Sequence, residues 1–337
     1  MRLVFLGTPA FAVPSLERLV AAGRQVLAAI TQPDRPRGRG QREAPPPVKE
    51  AALRLGIPVH QPERVRRPEA VELLRSLAPD VMVVIGYGQI IPQAVIEIAP
   101  LGIVNVHSSL LPKYRGAAPV QWAIVNGETR TGITTMRIDA GLDTGDLLLA
   151  RETEIGPEET AVELNGRLAG MGAGLLVETL DGLESARIVP RKQDSALASY
   201  APLLKKEDGL IDWSQPAESI HNRVRGLQPW PGAYTAFRGQ TLHIWRARVI
   251  SPGPLSDVRG SEMAEPGPGG APSESGRSET GLAPGSLPCL KPLTVTCGLG
   301  ALELREVQLE GRRRMSAADF ANGHRLTELD SLGEPRT

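Results

Sequence analysis

The first half of the chain alternates short runs rich in Val and Ile with stretches of helical spacing, and this alternation limits the possible folds most sharply. The apolar runs are Leu3–Leu6, Val26–Thr31, Ile57–His60, Val81–Ile85 and Ile103–His107. Between them, Ala12–Ala22, Pro47–Leu55 and Pro68–Leu77 repeat their apolar residues with helical period, and two of the three open on the proline favoured in a first helical turn. Strands and helices in this rhythm build βαβ units, so the spacing predicts a mostly parallel, Rossmann-like α/β sheet. A helix over 117–125, strands near Gly132–Ile138 and Leu147–Glu154, and a long helix over Glu158–Leu183 complete the expected first domain, residues 1–184.

A chain of 337 residues has room for a second core. From Ser185 to Lys206 the pattern fades into a polar stretch that reads as a linker. Short strands then follow at Ala233–Phe237, Leu242–Ile250, Leu293–Thr296 and Ala301–Val307, the pattern of a small β-barrel or sandwich over residues 207–330. Between Ser251 and Pro288 the chain is mostly Pro, Gly, Ser and Glu, too poor in large apolar residues to offset its ordering entropy. Residues 251–288 therefore read as a disordered insertion between strands.

Thirty-eight basic residues against 38 acidic ones leave no global field toward nucleic acid or membrane, so any polyanionic partner must meet a local basic patch. No signal-peptide pattern opens the chain, and no apolar run approaches the roughly 18 residues of a membrane span. Cys289 and Cys297 form neither a CxxC motif nor a metal cluster. The expectation is a cytoplasmic monomer with no metal.

The chemistry gathers at the end of the fifth apolar run. Asn105 and His107 are two apart on a strand and share a face. The loop Ser108-Ser109-Leu110-Leu111-Pro112 follows at once, and Asp143 stands downstream in Gly141-Leu142-Asp143-Thr144-Gly145-Asp146. Open α/β sheets place their sites at such strand ends. Asn and His can both aim a donor at a developing oxyanion. Asp143 reads either as a turn residue held by its own backbone or as the carboxylate that orients His107 and takes up a proton. No nucleophile elbow is present, which argues against an acyl-enzyme. The first strand ends in Gly7-Thr8-Pro9-Ala10-Phe11, lacking both GxGxxG and GxxxxGK[ST], so no nucleotide cofactor is expected.

These motifs resemble the formyltransferases that use 10-formyltetrahydrofolate, in which an Asn-x-His pair, a Ser-Leu-Leu-Pro loop and a downstream Asp form the transfer site. The resemblance implies catalytic roles for Asn105, His107 and Asp143. It also implies a folate site bounded by Tyr87, Gly88, Ser109, Leu110, Leu111 and Pro112, with Tyr87-Gly88 approaching through its backbone. Thr31–Arg42, a loop with four arginines, closely resembles the loop that methionyl-tRNA formyltransferases insert into the acceptor stem. Arg39 matches that family's loop arginine, Arg42 stands where the family is often basic, and Phe11 lies near its aminoacyl pocket. Gln228–Tyr234 and Gly311–Ala317 resemble the OB-like barrel appended in that family, with Arg312 and Arg313 offered to phosphate. What the resemblance implies is formyl transfer from 10-formyltetrahydrofolate, as co-substrate, to methionyl initiator tRNA.

Overall fold

The computed structural model describes residues 1–37, 42–250 and 282–333, and the chain divides into two compact units. The first comprises Met1–Ala123 and Glu128–Leu203; Ile124–Gly127 clusters with the described residues from Leu204 onward in the second.

The strands of the first unit are β1 (Arg2–Gly7), β2 (Gln25–Ile30), β3 (Arg35–Arg37), β4 (Arg42–Ala44), β5 (Val59–His60), β6 (Val81–Ile85), β7 (Ile103–His107), β8 (Arg115–Gly116), β9 (Arg130–Arg137), β10 (Leu147–Glu154) and β11 (Tyr200–Ala201). Seven of them form one sheet in the order β10-β9-β7-β6-β1-β2-β5, parallel from β7 to β5, with β9 antiparallel beside β7. The central strand β6, Val-Met-Val-Val-Ile, is buried at every residue, as a parallel strand covered on both faces must be. Helices α1 (Val13–Ala21), α2 (Pro47–Arg54) and α3 (Pro68–Leu77) each carry proline in the first turn, where the missing N–H costs no hydrogen bond. Two shorter helices, α4 (Gln93–Ile96) and α5 (Pro119–Val125), flank β7 in sequence. The long helix α6 (Ala161–Glu184) opens on a capping box in which Thr160 and Glu163 satisfy each other's backbone N–H.

The expected linker is part of the first unit through Leu203. Arg191 bridges Leu147, and β11 pairs in parallel with β8. Its polar residues serve as hydrogen-bond partners in the fold, which composition cannot distinguish from solvation.

The second unit is the separate β domain expected after the α/β sheet. Helix α7 (Ala217–Gly226) precedes β12 (Ala233–Phe237), β13 (Gln240–Ile250), β14 (Cys289–Leu290), β15 (Leu293–Thr296), β16 (Ala301–Leu309), β17 (Met315–Ser316) and α8 (Ala317–Gly323). The strands run antiparallel in the order β12-β13-β16-β15-β14, with β17 added to β16. Alternation along β12 and β16 sends every second side chain into a core that includes Trp213, Val295, Val307 and an edge-to-face pair of Phe237 and Phe320. Most of the expected insertion, 251–281, lies outside the described residues. Its last part is corrected: Leu287 is buried in this core, and Gly285 and Ser286 exchange backbone hydrogen bonds with Thr296. A single leucine among glycines and prolines supplies an anchor that composition averages away.

Candidate active site

Parallel pairing with β6 sets Val84 beside Asn105, and antiparallel pairing with β9 sets Thr134 beside His107. Both side chains thus stand at the carboxyl end of β7. Asn105 is half-buried, and its amide makes no hydrogen bond among the described residues. His107 is buried, with Nε2 at 2.9 Å from the carbonyl oxygen of Tyr114. A carbonyl only accepts, so Nε2 carries a proton and donates it there. Tyr114 takes a left-handed φ of 62°, which turns that carbonyl toward the ring; its N–H donates to Ser199 Oγ and its hydroxyl to Glu128.

The other ring nitrogen faces Asp143. Nδ1 lies 3.7 Å from Asp143 Oδ2, and the same oxygen accepts the Gly116 N–H at 2.8 Å. The structure brings His107 and Asp143 together without a direct hydrogen bond between them. Asp143 adopts φ 51°, a conformation tolerated by Asp better than by most residues. The loop is tight there: a Cβ on Gly145 would strike the carbonyl of Arg137. Gln193, from the expected linker, donates its amide to the carbonyls of Asp143 at 2.8 Å and Gly145 at 2.7 Å. Its oxygen accepts from Nε and Nη2 of the buried Arg115. Gly116, Tyr114, Arg115 and Gln193 are the neighbours that sequence reasoning missed. Tyr114-Arg115-Gly116 lies just beyond the Ser108–Pro112 loop, but nothing in sequence spacing connects Gln193 with Asp143.

The Ser109–Pro112 loop is locked from beneath. Thr134 Oγ1 donates to Ser109 O at 2.7 Å and accepts the Leu111 N–H at 3.1 Å, while Ser109 Oγ donates to Lys113 O at 2.6 Å. The Ser109 hydroxyl is fully buried and committed, so its side chain braces the loop; Leu110 and Pro112 are half-buried and Leu111 is buried. At Tyr87 the carbonyl accepts from Thr8 Oγ1 and Gln32 Nε2, and the ring is buried in the core cluster that also holds Val84, Ile91, Val95 and Ile103. Burial pushes its phenol up to about 12, and the hydroxyl has no hydrogen-bond partner among the described residues.

Gly88, at φ 84°, instead lines an open cleft of about 520 Å³ together with Thr8, Pro9, Gln32, Arg35, Pro36 and Ala44. That volume falls in the range of small-molecule sites. The cleft lies beyond the carboxyl ends of β1, β2 and β6, beside β7 in the same sheet. One wall is the β3–β4 hairpin, in which Arg35 pairs with Ala44. The hairpin is rooted by Asp34, whose carboxylate accepts from Gln61 and Lys49; these bonds hold it below its ordinary 3.8. Arg42 sits in β4, and Arg39 lies outside the described residues. Phe11 is half-buried in the single turn Ala10–Ala12. In the second unit Arg312 and Arg313 are exposed, whereas Arg314 stacks 3.5 Å over the ring of Trp245. No group of His, Cys, Asp and Glu suited to a metal occurs among the described residues.

Residues 1–180 match the formyl transferase family model and 203–325 its C-terminal domain model. A methionyl-tRNA formyltransferase from Solibacter usitatus is 64% identical over 334 residues, covering 99% of both chains. In fold the chain is similar to HypX from Aquifex aeolicus in complex with tetrahydrofolic acid, at TM-score 0.59 and 15% identity over 99% of this chain and 51% of that one. It is similar also to a methionyl-tRNA formyltransferase from Clostridium thermocellum, at TM-score 0.52 and 19% identity over 75% of this chain and 95% of that one. With strand-end residues, both domain models and a full-length relative in agreement, the chain belongs to the methionyl-tRNA formyltransferase family.

Proposed function

We propose that the protein transfers the formyl group of 10-formyltetrahydrofolate to the α-amine of methionyl initiator tRNA. The observation that carries the reading is the Asn105–His107–Asp143 cluster at the strand ends of a chain so similar to its relative throughout. The formyl donor is a substrate consumed in each turnover, and the unpartnered Asn105 amide suits its formyl oxygen.

In this reading the neutral amine attacks the formyl carbon. The carbonyl electron pair moves onto oxygen, and the Asn105 amide donates to that developing oxyanion. His107 has already committed Nε2–H to Tyr114, so it can donate to substrate only from Nδ1. A ring donating at both nitrogens is an imidazolium, and the Asp143 carboxylate 3.7 Å away supplies its counter-charge. As the carbon–nitrogen bond to the folate breaks, its electron pair returns to the folate nitrogen. That nitrogen takes the Nδ1 proton of the imidazolium, and the ring, now neutral at Nδ1, takes up the proton that the attacking ammonium loses, with the Asp143 carboxylate beside it balancing the charge.

The cleft beside the β3–β4 hairpin receives the methionyl end, with Phe11 near it and Gly88 facing the folate side together with the Leu110–Pro112 backbone. Arg39 and Arg42 of the arginine loop, and Arg312 and Arg313 of the second unit, meet tRNA phosphates. The same reading makes the protein a cytoplasmic monomer; no helix among the described residues is long and apolar enough to cross a membrane. The test is incubation with labelled formyl donor and charged initiator tRNA. Formylmethionine released from the tRNA supports the reading, whereas donor hydrolysis alone, or a preference for a small amine acceptor, refutes it.

A further inference from the structure

Asp143 owes its place to a residue fifty positions away. Gln193 is the hub between two elements: its oxygen accepts two N–H groups of the buried Arg115, and its nitrogen donates to two carbonyls of the Asp143 turn. The amide orientation is dictated by its neighbours. Flipped, it would set N–H against guanidinium N–H and oxygen against two carbonyls. Next to Arg115 in the chain, Gly116 gives its N–H to the Asp143 carboxylate. The turn is therefore held twice by β8, through the Gly116 backbone and through the Arg115–Gln193 relay.

We propose that Gln193 is a positioning residue for formyl transfer, holding Asp143 in its left-handed conformation so that one carboxylate oxygen faces both Gly116 N–H and His107 Nδ1. The inference rests on the formyl-transfer reading and adds to it a residue in the stretch whose composition reads as a linker. Gln193 touches neither the reacting atoms nor His107; it acts through the backbone of Asp143.

Gln193→Glu separates positioning from packing. Glutamate keeps the shape and still accepts from Arg115, but it has nothing to donate to the Asp143 and Gly145 carbonyls and sets a negative charge against them. In the full chain, kcat should fall about a hundredfold, the scale expected for a misplacement near 1 Å, while both KM values stay within about threefold. Placed on Asp143→Asn, the same change should cost little more, because the group it positions is already altered. Independent, additive losses, or a wild-type kcat, would overturn the proposal.

Amide hydrogen exchange tests the lock without turnover. In Gln193→Glu the Gly116 amide, bonded to Asp143, should exchange at least about tenfold faster. The Arg115 and Ala117 amides, bonded to Ser199 and Ala201 carbonyls, should keep their rates. Acceleration of all three together marks general loosening of β8, and an unchanged Gly116 marks an Asp143 that did not move; either result overturns the proposal. A wild-type protein that formylates no methionyl-tRNA sinks the reading of function instead, and the exchange data still judge the lock.

Discussion

Replacing Asp143 by Asn changes one atom and removes the negative charge presented to His107. In the structure Asp143 Oδ2 accepts the Gly116 N–H at 2.8 Å and stands 3.7 Å from His107 Nδ1. Asparagine that keeps its oxygen for Gly116 keeps the same oxygen facing Nδ1, but the negative charge is gone. Without that counter-charge the ring stays neutral, and because Nε2 carries the proton given to Tyr114, Nδ1 is left with a lone pair. The ring then loses its donor toward substrate. Loss of one donor to a developing oxyanion costs about 3–4 kcal/mol, so kcat should drop by roughly two to three orders of magnitude. Binding should change little, since Gly116 keeps its partner and the turn its shape. The assay is steady-state transfer of labelled formyl to methionyl-tRNA, with kcat and both KM values measured separately. A kcat within about threefold of wild type, or a loss carried wholly by KM, refutes the argument that Nδ1 is the working edge.

Thr134→Val removes the hydroxyl that serves Ser109 O and Leu111 N–H and leaves two buried backbone groups unpaired. Stability should fall by about 2–4 kcal/mol, read as a lower urea midpoint for the first unit; a loss below about 0.5 kcal/mol would contradict the role given to this residue. Asp34 is held below its ordinary 3.8 by the hydrogen bond from Gln61 and then by that from Lys49. A depressed folded value means that the carboxylate adds stability above about pH 4 and that this is lost as the pH falls through the folded value. The melting temperatures of wild type and Asp34→Asn should accordingly differ at pH 7 and converge as the pH falls below about 4; a constant gap would refute the linkage. If Arg312 and Arg313 meet tRNA phosphates, alanine at either should weaken tRNA binding and lower the slope of log K against log salt by about one, and an unchanged slope removes that residue from the interface.

The sheet was legible because its strands advertise themselves. Val81–Ile85 is an unbroken β-branched and aliphatic run, and β10 begins and ends at the residues its pattern predicts. Asn105 and His107 were legible for the same reason, since period two fixes which residues of a strand share a face. The partners of Tyr87 were not legible: left-handed Gly86 and Gly88 turn the chain so that the tyrosine carbonyl meets Thr8 and Gln32 and the ring enters the core. Ser109 was read as bounding a folate site, and nothing in the sequence showed that its hydroxyl closes the turn on Lys113. In both cases a local motif was recognised while its partners, distant in sequence, remained invisible.

The stretch around Gln193 carries this point furthest. Linkers and bracing segments share a composition, because both are rich in residues able to hydrogen-bond; they differ in whether the partner is water or protein. Gln193 spends all four of its bonds on Arg115, Asp143 and Gly145, and Ser199 supplies the hydroxyl that receives the Tyr114 N–H. Tyr114 in turn holds the Nε2 proton of His107. Both nitrogens of the His107 imidazole are thus set by residues that the polar stretch secures, one through Tyr114 and one through Asp143. A site assembled in this way depends on the 185–203 segment being docked, so severing the chain within it should silence transfer even if each unit remains folded.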